Sequence, residues 1–259
     1  MRTEELHQLT AETRTRLLRM HFKARAGHIG GNLSCLEALM VLYHRTLTPA
    51  DRFILSKGHS AGAWYAVLWS KGLLSSDRLD SFSRDGGLPG HPSGADIPGL
   101  LFPTGSLGHG PPLANGLALA ARQQGRKNRV FCLCSDGEWQ EGSNWEALIF
   151  MVRHHLDLTL IIDQNGWQGF GRTGEVAGFT DLESRLAAFG LPVERCPGHE
   201  LEALTEALAP RPEGPRAVIL DTVKGRGLAD FEDRLESHYL PLPPDYFSPD
   251  APEEGGASS

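Results

Sequence analysis

Apolar positions change their period along this chain of 259 residues, and the changes divide it into three stretches. In the first, Leu6, Leu9, Leu17, Leu18 and Phe22 recur at helical spacing as a broken stripe, which predicts a helix. Ser34 followed by Glu37 is a capping-box pattern, predicting the start of a second helix that carries Leu36, Leu39, Met40, Leu42 and Tyr43. Arg52–Leu55 predicts a short strand, Ser56-Lys57-Gly58-His59 a polar turn, and the residues through Leu68 and Trp69 a further helix. The second stretch, residues 84–112, loses periodicity and is rich in glycine and proline. A loop of that length in a compact domain is usually functional or disordered, and His91 and His109 within it favour function.

The third stretch is regular. Helices at Leu113–Gln124, Asn144–His155, Asp181–Phe189 and Glu200–Leu208 alternate with strands at Val130–Cys134, Leu158–Asp163, Pro192–Cys196 and Ala217–Thr222. That alternation predicts βαβ units: a single three-layer α/β/α domain around a mainly parallel sheet. From Pro241 the chain is rich in Pro, Glu, Gly and Ser and is expected to be disordered beyond Ser248.

Composition narrows the function classes. With 40% hydrophobic and 22% charged residues the chain is globular. Lys+Arg 25 against Asp+Glu 32 gives a net charge of −7 without a basic cluster, which argues against a nucleic-acid partner. No apolar run approaches the ~20 residues of a membrane span. The polar start Met1-Arg2-Thr3-Glu4-Glu5 is unlike a signal peptide. Cys132 and Cys134 alternate in a strand and read as buried core thiols, since no second pair stands at zinc spacing. The expectation is a soluble protein of the reducing cytoplasm.

Two strand ends carry the chemistry. Ser135-Asp136-Gly137 follows one strand, and Gln164-Asn165-Gly166 follows the next. In a parallel α/β sheet both lie at the carboxyl edge, where ligands bind. One carboxylate and one amide oxygen there suit a hard cation that also takes phosphate oxygens. Asp-Gly and Asn-Gly are also ordinary turn dipeptides, so spacing by itself leaves both readings open.

Asp136-Gly137, 27 residues and Asn165 resemble the thiamine diphosphate signature Gly-Asp-Gly…Asn. Ala26-Gly-His-Ile-Gly-Gly-Asn32, Ser56-Lys-Gly-His-Ser60, Leu88-Pro-Gly-His-Pro92, Thr104-Gly-Ser-Leu-Gly-His-Gly110, Asp136-Gly-Glu-Trp-Gln-Glu-Gly142 and Thr222-Val-Lys-Gly-Arg-Gly227 follow in order. Together they resemble the N-terminal, diphosphate-binding half of transketolase, over nearly the whole chain.

The resemblance implies thiamine diphosphate and Mg²⁺ (or Ca²⁺ or Mn²⁺ in its place), with residues 1–240 as the diphosphate-binding domain and 241–259 as a tail. It implies Asp136, Asn165 and the main-chain carbonyl of Trp167 as metal ligands. His59, Gly105, Ser106, Leu107, Gly137 and His238 would join Asp136 and Asn165 in binding the cofactor. His28, His59, His91 and His238 would be active-site histidines, with His28 and His91 contacting donor-sugar hydroxyls or moving protons. Glu141 would lie at a subunit interface. Ser135, His109 and Ser237 depart from the family's usual glycine, glutamine and aromatic residue.

The family's second half binds the cofactor's pyrimidine and supplies a glutamate to its N1′. The resemblance therefore implies a split enzyme, completed by a C-terminal, pyrimidine-binding subunit in a heterotetramer with two copies of each chain. The segment Ser237-His238-Tyr239-Leu240-Pro241 resembles the ending of separately encoded N-terminal subunits, which favours a natural split. The expected reaction transfers a two-carbon ketol unit from a ketose to an aldehyde. A 2-oxo-acid-decarboxylating acyloin or deoxyxylulose-phosphate-synthase-like enzyme, and a non-catalytic scaffold of the same fold, are the alternatives.

Overall fold

The computed structural model describes residues 1–94, 96–178 and 180–247. Five strands, β1 (Arg52–Leu55), β2 (Val130–Ser135), β3 (Leu158–Gln164), β6 (Val193–Pro197) and β7 (Arg216–Asp221), form one sheet in the order β1-β2-β3-β7-β6. Every pairing in it is parallel. β4 (Trp167–Gln168) and β5 (Gly171–Arg172) form a separate short antiparallel hairpin. The helices are α1 (Thr3–Ala24), α2 (Ile29–Ser34), α3 (Leu36–Val41), α4 (Ala61–Ser70), α5 (Ser76–Asp80), α6 (Gly110–Gln123), α7 (Gly142–Arg153), α8 (Thr173–Ala177), α9 (Leu182–Ala188), α10 (Leu201–Ala207) and α11 (Glu236–Tyr239).

Strand side chains alternate between two cores, as the period of two requires. Phe53, Leu55, Phe131, Leu133, Ile161, Val218 and Leu220 join one buried cluster with α1, α3, α4 and α10. Ile54, Val130, Cys132, Cys134, Leu158, Leu160, Ile162, Ala217 and Ile219 join the other with α6, α7 and α9. The result is the expected three-layer α/β/α arrangement. Strands covered on both faces are buried at nearly every position, as β2 and β3 are. Cys132 and Cys134 are buried in the second core with their sulfurs 3.8 Å apart, and all four cysteines are free.

The proposed cap at Ser34 is not formed. The chain is already helical from Ile29, and the Ser34 hydroxyl donates to the Gly31 carbonyl and the Asp163 carboxylate instead. Glu37 faces His199, 3.2 Å away, rather than the start of a helix. A buried carboxylate across the sheet edge outcompetes the local backbone for the hydroxyl. α6 starts at Gly110, ahead of the predicted Leu113, with prolines in its first turn where a missing N–H costs nothing. β4, β5, α5 and α8 are not signalled by apolar period because they are too short to show one.

Past residue 240 the chain stays on the domain. Leu242 is buried, Arg25 donates to its carbonyl, and Phe247 meets Phe22 edge to face. The expected disorder beyond Ser248 lies outside the described residues. No helix among the described residues is long and apolar enough to cross a membrane.

Candidate active site at the carboxyl edge of the sheet

Parallel strands all end on one edge, so the loops after β1, β2, β3 and β7 meet there. β2 delivers Asp136 and β3 delivers Asn165, from adjacent paired strands. Asp136 is almost wholly buried. One of its oxygens accepts from the Gly166 N–H at 2.9 Å and the Thr173 hydroxyl at 3.0 Å, and the other from the Gly137 N–H at 3.0 Å. The Asp136 and Asn165 turns therefore touch. The Asn165 carboxamide oxygen accepts from the Trp167 N–H at 3.0 Å. The Trp167 side chain points elsewhere: its indole N–H donates to Asp233, and the Arg172 guanidinium stacks on the ring 4.0 Å from its centre.

Four histidines from four separate segments converge beside these turns. Ring centroids lie 4.9 Å apart for His28–His238, 5.6 Å for His28–His91, 5.8 Å for His28–His59 and 5.9 Å for His59–His238. His28 sits in the left-handed region at φ 64°, a conformation uncommon outside glycine. It is held there by its N–H to the His238 carbonyl at 2.9 Å and by Asn32, whose side-chain amide donates to the carbonyls of His28 and His59. The Asn32 carboxamide oxygen accepts from the Ala63 N–H, which anchors it to α4. Such a strained residue, fixed by several bonds, is typical of a functional site.

Burial holds all four imidazoles neutral. His28 is pushed down to about 4 by loss of solvent, then by His91 and Lys224. His238 falls to about 3 through burial, then Lys224, His28 and Lys57. Burial and the Lys57 charge push His59 well down, and burial lowers His91. Neutral imidazoles at neutral pH accept protons. Lys224, pushed down to about 8 chiefly by burial, lies 2.9 Å from His238 Nδ1.

The glycine-rich loop closes one side. Gly105 has φ 139°, and a Cβ there would fall 2.8 Å from the His91 ring; Gly108 lies against Glu141 and Ser143. The Ser143 hydroxyl donates to the Gly108 carbonyl at 2.7 Å. Ser106 and Glu141 are exposed, and Leu107 is half-buried. Glu141 sits at the start of α7. Of the departures, His109 is exposed and bonds back to the Ser106 carbonyl. Ser135 is buried, with its N–H on Glu138. Ser237 is buried and packs directly on Gly30, where a larger side chain finds no room.

The residues present fit a divalent cation and a phosphorylated ligand. Asp136 is a buried carboxylate that pairs with no lysine, arginine or histidine among the described residues. Its pKa is pushed up to about 6 by burial and then by Asp163, a cost that a bound cation would remove. Among the described residues no three His, Cys, Asp or Glu side chains cluster as a metal site. One carboxylate, one amide and main-chain oxygens leave coordination positions for phosphate, as suits Mg²⁺-type ions.

Several contributors were not singled out from sequence. Asn32, Lys57, Asp163, Thr173 and Lys224 are buried here and tie the loops together. Asn32, Lys57 and Lys224 stood inside motifs already noted, and their burial was the signal sequence could not supply.

Residues 7–248 match the family described as "Transketolase, thiamine diphosphate binding domain". The chain is 37% identical over 250 residues to one of the subunits of the apulose-4-phosphate transketolase of Actinobacillus succinogenes, covering 91% of each. It is 37% identical over 234 residues to a 6-deoxy-6-sulfo-D-fructose transketolase subunit of a Clostridium species, covering 85% of each. Among solved structures, the transketolase of Campylobacter jejuni superposes with TM-score 0.86 at 30% identity, over 94% of this chain and 41% of that one. The chain thus spans about two-fifths of that solved transketolase. With fold and sequence both matching, the chain belongs to the transketolase family, as its N-terminal, thiamine diphosphate-binding domain.

Proposed function

We propose that this chain is the thiamine diphosphate- and Mg²⁺-binding subunit of a two-component transketolase-like enzyme, moving a two-carbon ketol unit from a ketose or ketose phosphate to an aldehyde. The observation that carries the reading is the convergence of four neutral imidazoles on the sheet edge that presents Asp136 and Asn165. Asp136, Asn165 and the Trp167 carbonyl would hold the cation. His59, His238, Gly137 and the Gly105-Ser106-Leu107 turn would line the cofactor. Thiamine diphosphate, when bound, supplies the carbon nucleophile that accepts the two-carbon unit.

The chain's own part is proton management and positioning. Breaking a ketose between C2 and C3 needs a base for the C3 hydroxyl, and the acceptor aldehyde needs a proton on its new alkoxide. His28 and His91 do both in this reading: neutral at pH 7, they take a proton, and their lowered basicity makes them ready donors afterwards. Lys224 keeps positive charge beside His238, where anionic phosphate oxygens are expected.

The apulose-4-phosphate transketolase relatives carry names that mark them as single components of a divided enzyme, and they are of similar length to this chain. Both features support a partner. In this reading the partner is a C-terminal, pyrimidine-binding subunit that supplies the N1′ glutamate, in a heterotetramer of two copies each, with exposed Glu141 at the shared face. Residues 1–240 form the diphosphate-binding domain in this reading, and the segment that follows packs against it as far as Phe247. Four free cysteines accord with a cytoplasmic setting. The test is to assay this chain and its candidate partner apart and mixed, with ketose or 2-oxo-acid donors and aldehyde acceptors, following C–C transfer by mass spectrometry. Ketose-dependent turnover only in the mixture is expected. Turnover with 2-oxo acids alone would move the reaction to decarboxylation, and none with either donor would favour the non-catalytic scaffold.

A further inference from the structure

One buried carboxylate beneath the site takes no part in the chemistry described so far. Asp163 is 0% exposed, and so is its ion-pair partner Lys57. Lys57 also donates to the Gly31 carbonyl at 3.0 Å. The same Asp163 oxygen that meets Lys57 accepts from the Ser34 hydroxyl, and the other accepts from the Thr222 hydroxyl. Three loops that carry active-site histidines or Lys224 are thereby tied to a single side chain at the end of β3.

The fourth bond has a directional consequence. The Asn165 amide nitrogen donates to Asp163 at 3.2 Å and to the Ser34 hydroxyl at 3.4 Å, while its carboxamide oxygen accepts from the Trp167 N–H at 3.0 Å. An amide offers two donors on one end and an acceptor on the other, and the two ends are nearly the same shape. An ionised carboxylate accepts only, so it selects the nitrogen end. The oxygen end is then left toward the Gly166–Trp167 turn, which is bonded to Asp136. The buried ion pair with Lys57 and the donated bonds from the Ser34 and Thr222 hydroxyls make Asp163 an acceptor on every side that is observed.

We propose that Asp163 is a positioning residue for cation binding, locking the Asn165 carboxamide with its oxygen toward the Asp136 side and its nitrogen away. Outer partners of metal ligands commonly set ligand orientation in this way. The inference rests on Asp136 and Asn165 being the metal ligands.

The test uses the chain assembled with its partner subunit, with thiamine diphosphate and Mn²⁺ as the probe and free Mn²⁺ read by electron paramagnetic resonance. Two double variants remove the buried ion pair together, so that neither charge is stranded. Lys57→Met/Asp163→Asn keeps an oxygen to accept from Asn165 and should hold Mn²⁺ nearly as the native chain does. Lys57→Met/Asp163→Leu removes the carboxylate acceptor, leaving only the longer bond to the Ser34 hydroxyl, and should lose about 10- to 100-fold in Mn²⁺ affinity. Equal weakening of both variants, or native affinity in the leucine variant, overturns the inference. Should the leucine variant fail to fold, hydrogen exchange of the Asn165 side-chain amide in the native, metal-free chain decides. Slow exchange is expected, and exchange as fast as that of a solvated amide overturns it. A native assembled enzyme that takes up no Mn²⁺ with thiamine diphosphate overturns the functional reading, and this inference with it.

Discussion

At the scale of single residues, Asp136 has a buried carboxylate without a cationic partner among the described residues, held by Gly137, Gly166 and Thr173. Asp136→Ala should abolish thiamine diphosphate binding in the assembled enzyme, and unchanged affinity by calorimetry would contradict the metal assignment. His91 is the most exposed of the four histidines, so its loss should spare the fold. His91→Ala should lower kcat by about 10²- to 10⁴-fold while cofactor affinity and melting temperature stay near native. Full activity would remove His91 from proton transfer. Asp136 was legible from its place at a strand end, and the roles of the histidines through the resemblance of their motifs. A lone histidine in a sequence carries no mark of function, and the buried partners Lys57, Asp163 and Lys224 carry even less, because charge in a sequence reads as surface.

At the scale of elements, the strand–helix alternation after residue 112 gave the sheet, since burial on both faces leaves near-continuous apolar runs. The capping box at Ser34 was misread because a local rule met a tertiary competitor, the Asp163 carboxylate. The loop between α5 and α6 has no period of its own and is shaped by what it packs on. Gly58 shows this: a Cβ there would lie 2.6 Å from the Thr104 carbonyl carbon and 2.7 Å from the Gly105 nitrogen. Gly58→Ala should push the glycine-rich loop away from the β1 turn, costing on the order of 1–3 kcal/mol, read as a lower urea midpoint. A midpoint equal to native would show that the loop yields freely.

At the scale of the whole molecule, buried neutral histidines make stability depend on pH. His21 is wholly buried, and burial pushes it down to about 4 from the ordinary 6.5. Between those values the unfolded chain binds the proton and the folded chain does not, so stability is present above pH 6.5 and is lost as pH falls toward 4. His28 and His238 add to the same slope. The melting temperature should therefore drop steadily below about pH 6.5, and His21→Leu should flatten the drop by on the order of 1–2 kcal/mol at pH 5. An equal slope in both proteins would exclude His21 as its source. At the same scale, the chain by itself should show no ketol transfer even with thiamine diphosphate and Mg²⁺. The N1′ glutamate is assigned to the partner, and one wall of the site would stand open to water. Turnover by the isolated chain would refute the divided site.

The sequence by itself determined the period of each long element, hence the parallel three-layer fold, and the order of the glycine, histidine and Asp…Asn motifs that mark the family. Periodicity is a local property, and a motif needs only its own residues, so both survive in one dimension. The tertiary structure alone decided that His59, His91 and His238, far apart in the chain, would stand within 6 Å of His28. It also decided that Ser34 would serve a carboxylate rather than a helix, and that Lys57, Asp163 and Asn32 would lie buried as ties between loops. Those outcomes depend on which segments meet at the sheet edge and how much water they exclude, and neither quantity exists until the chain has folded.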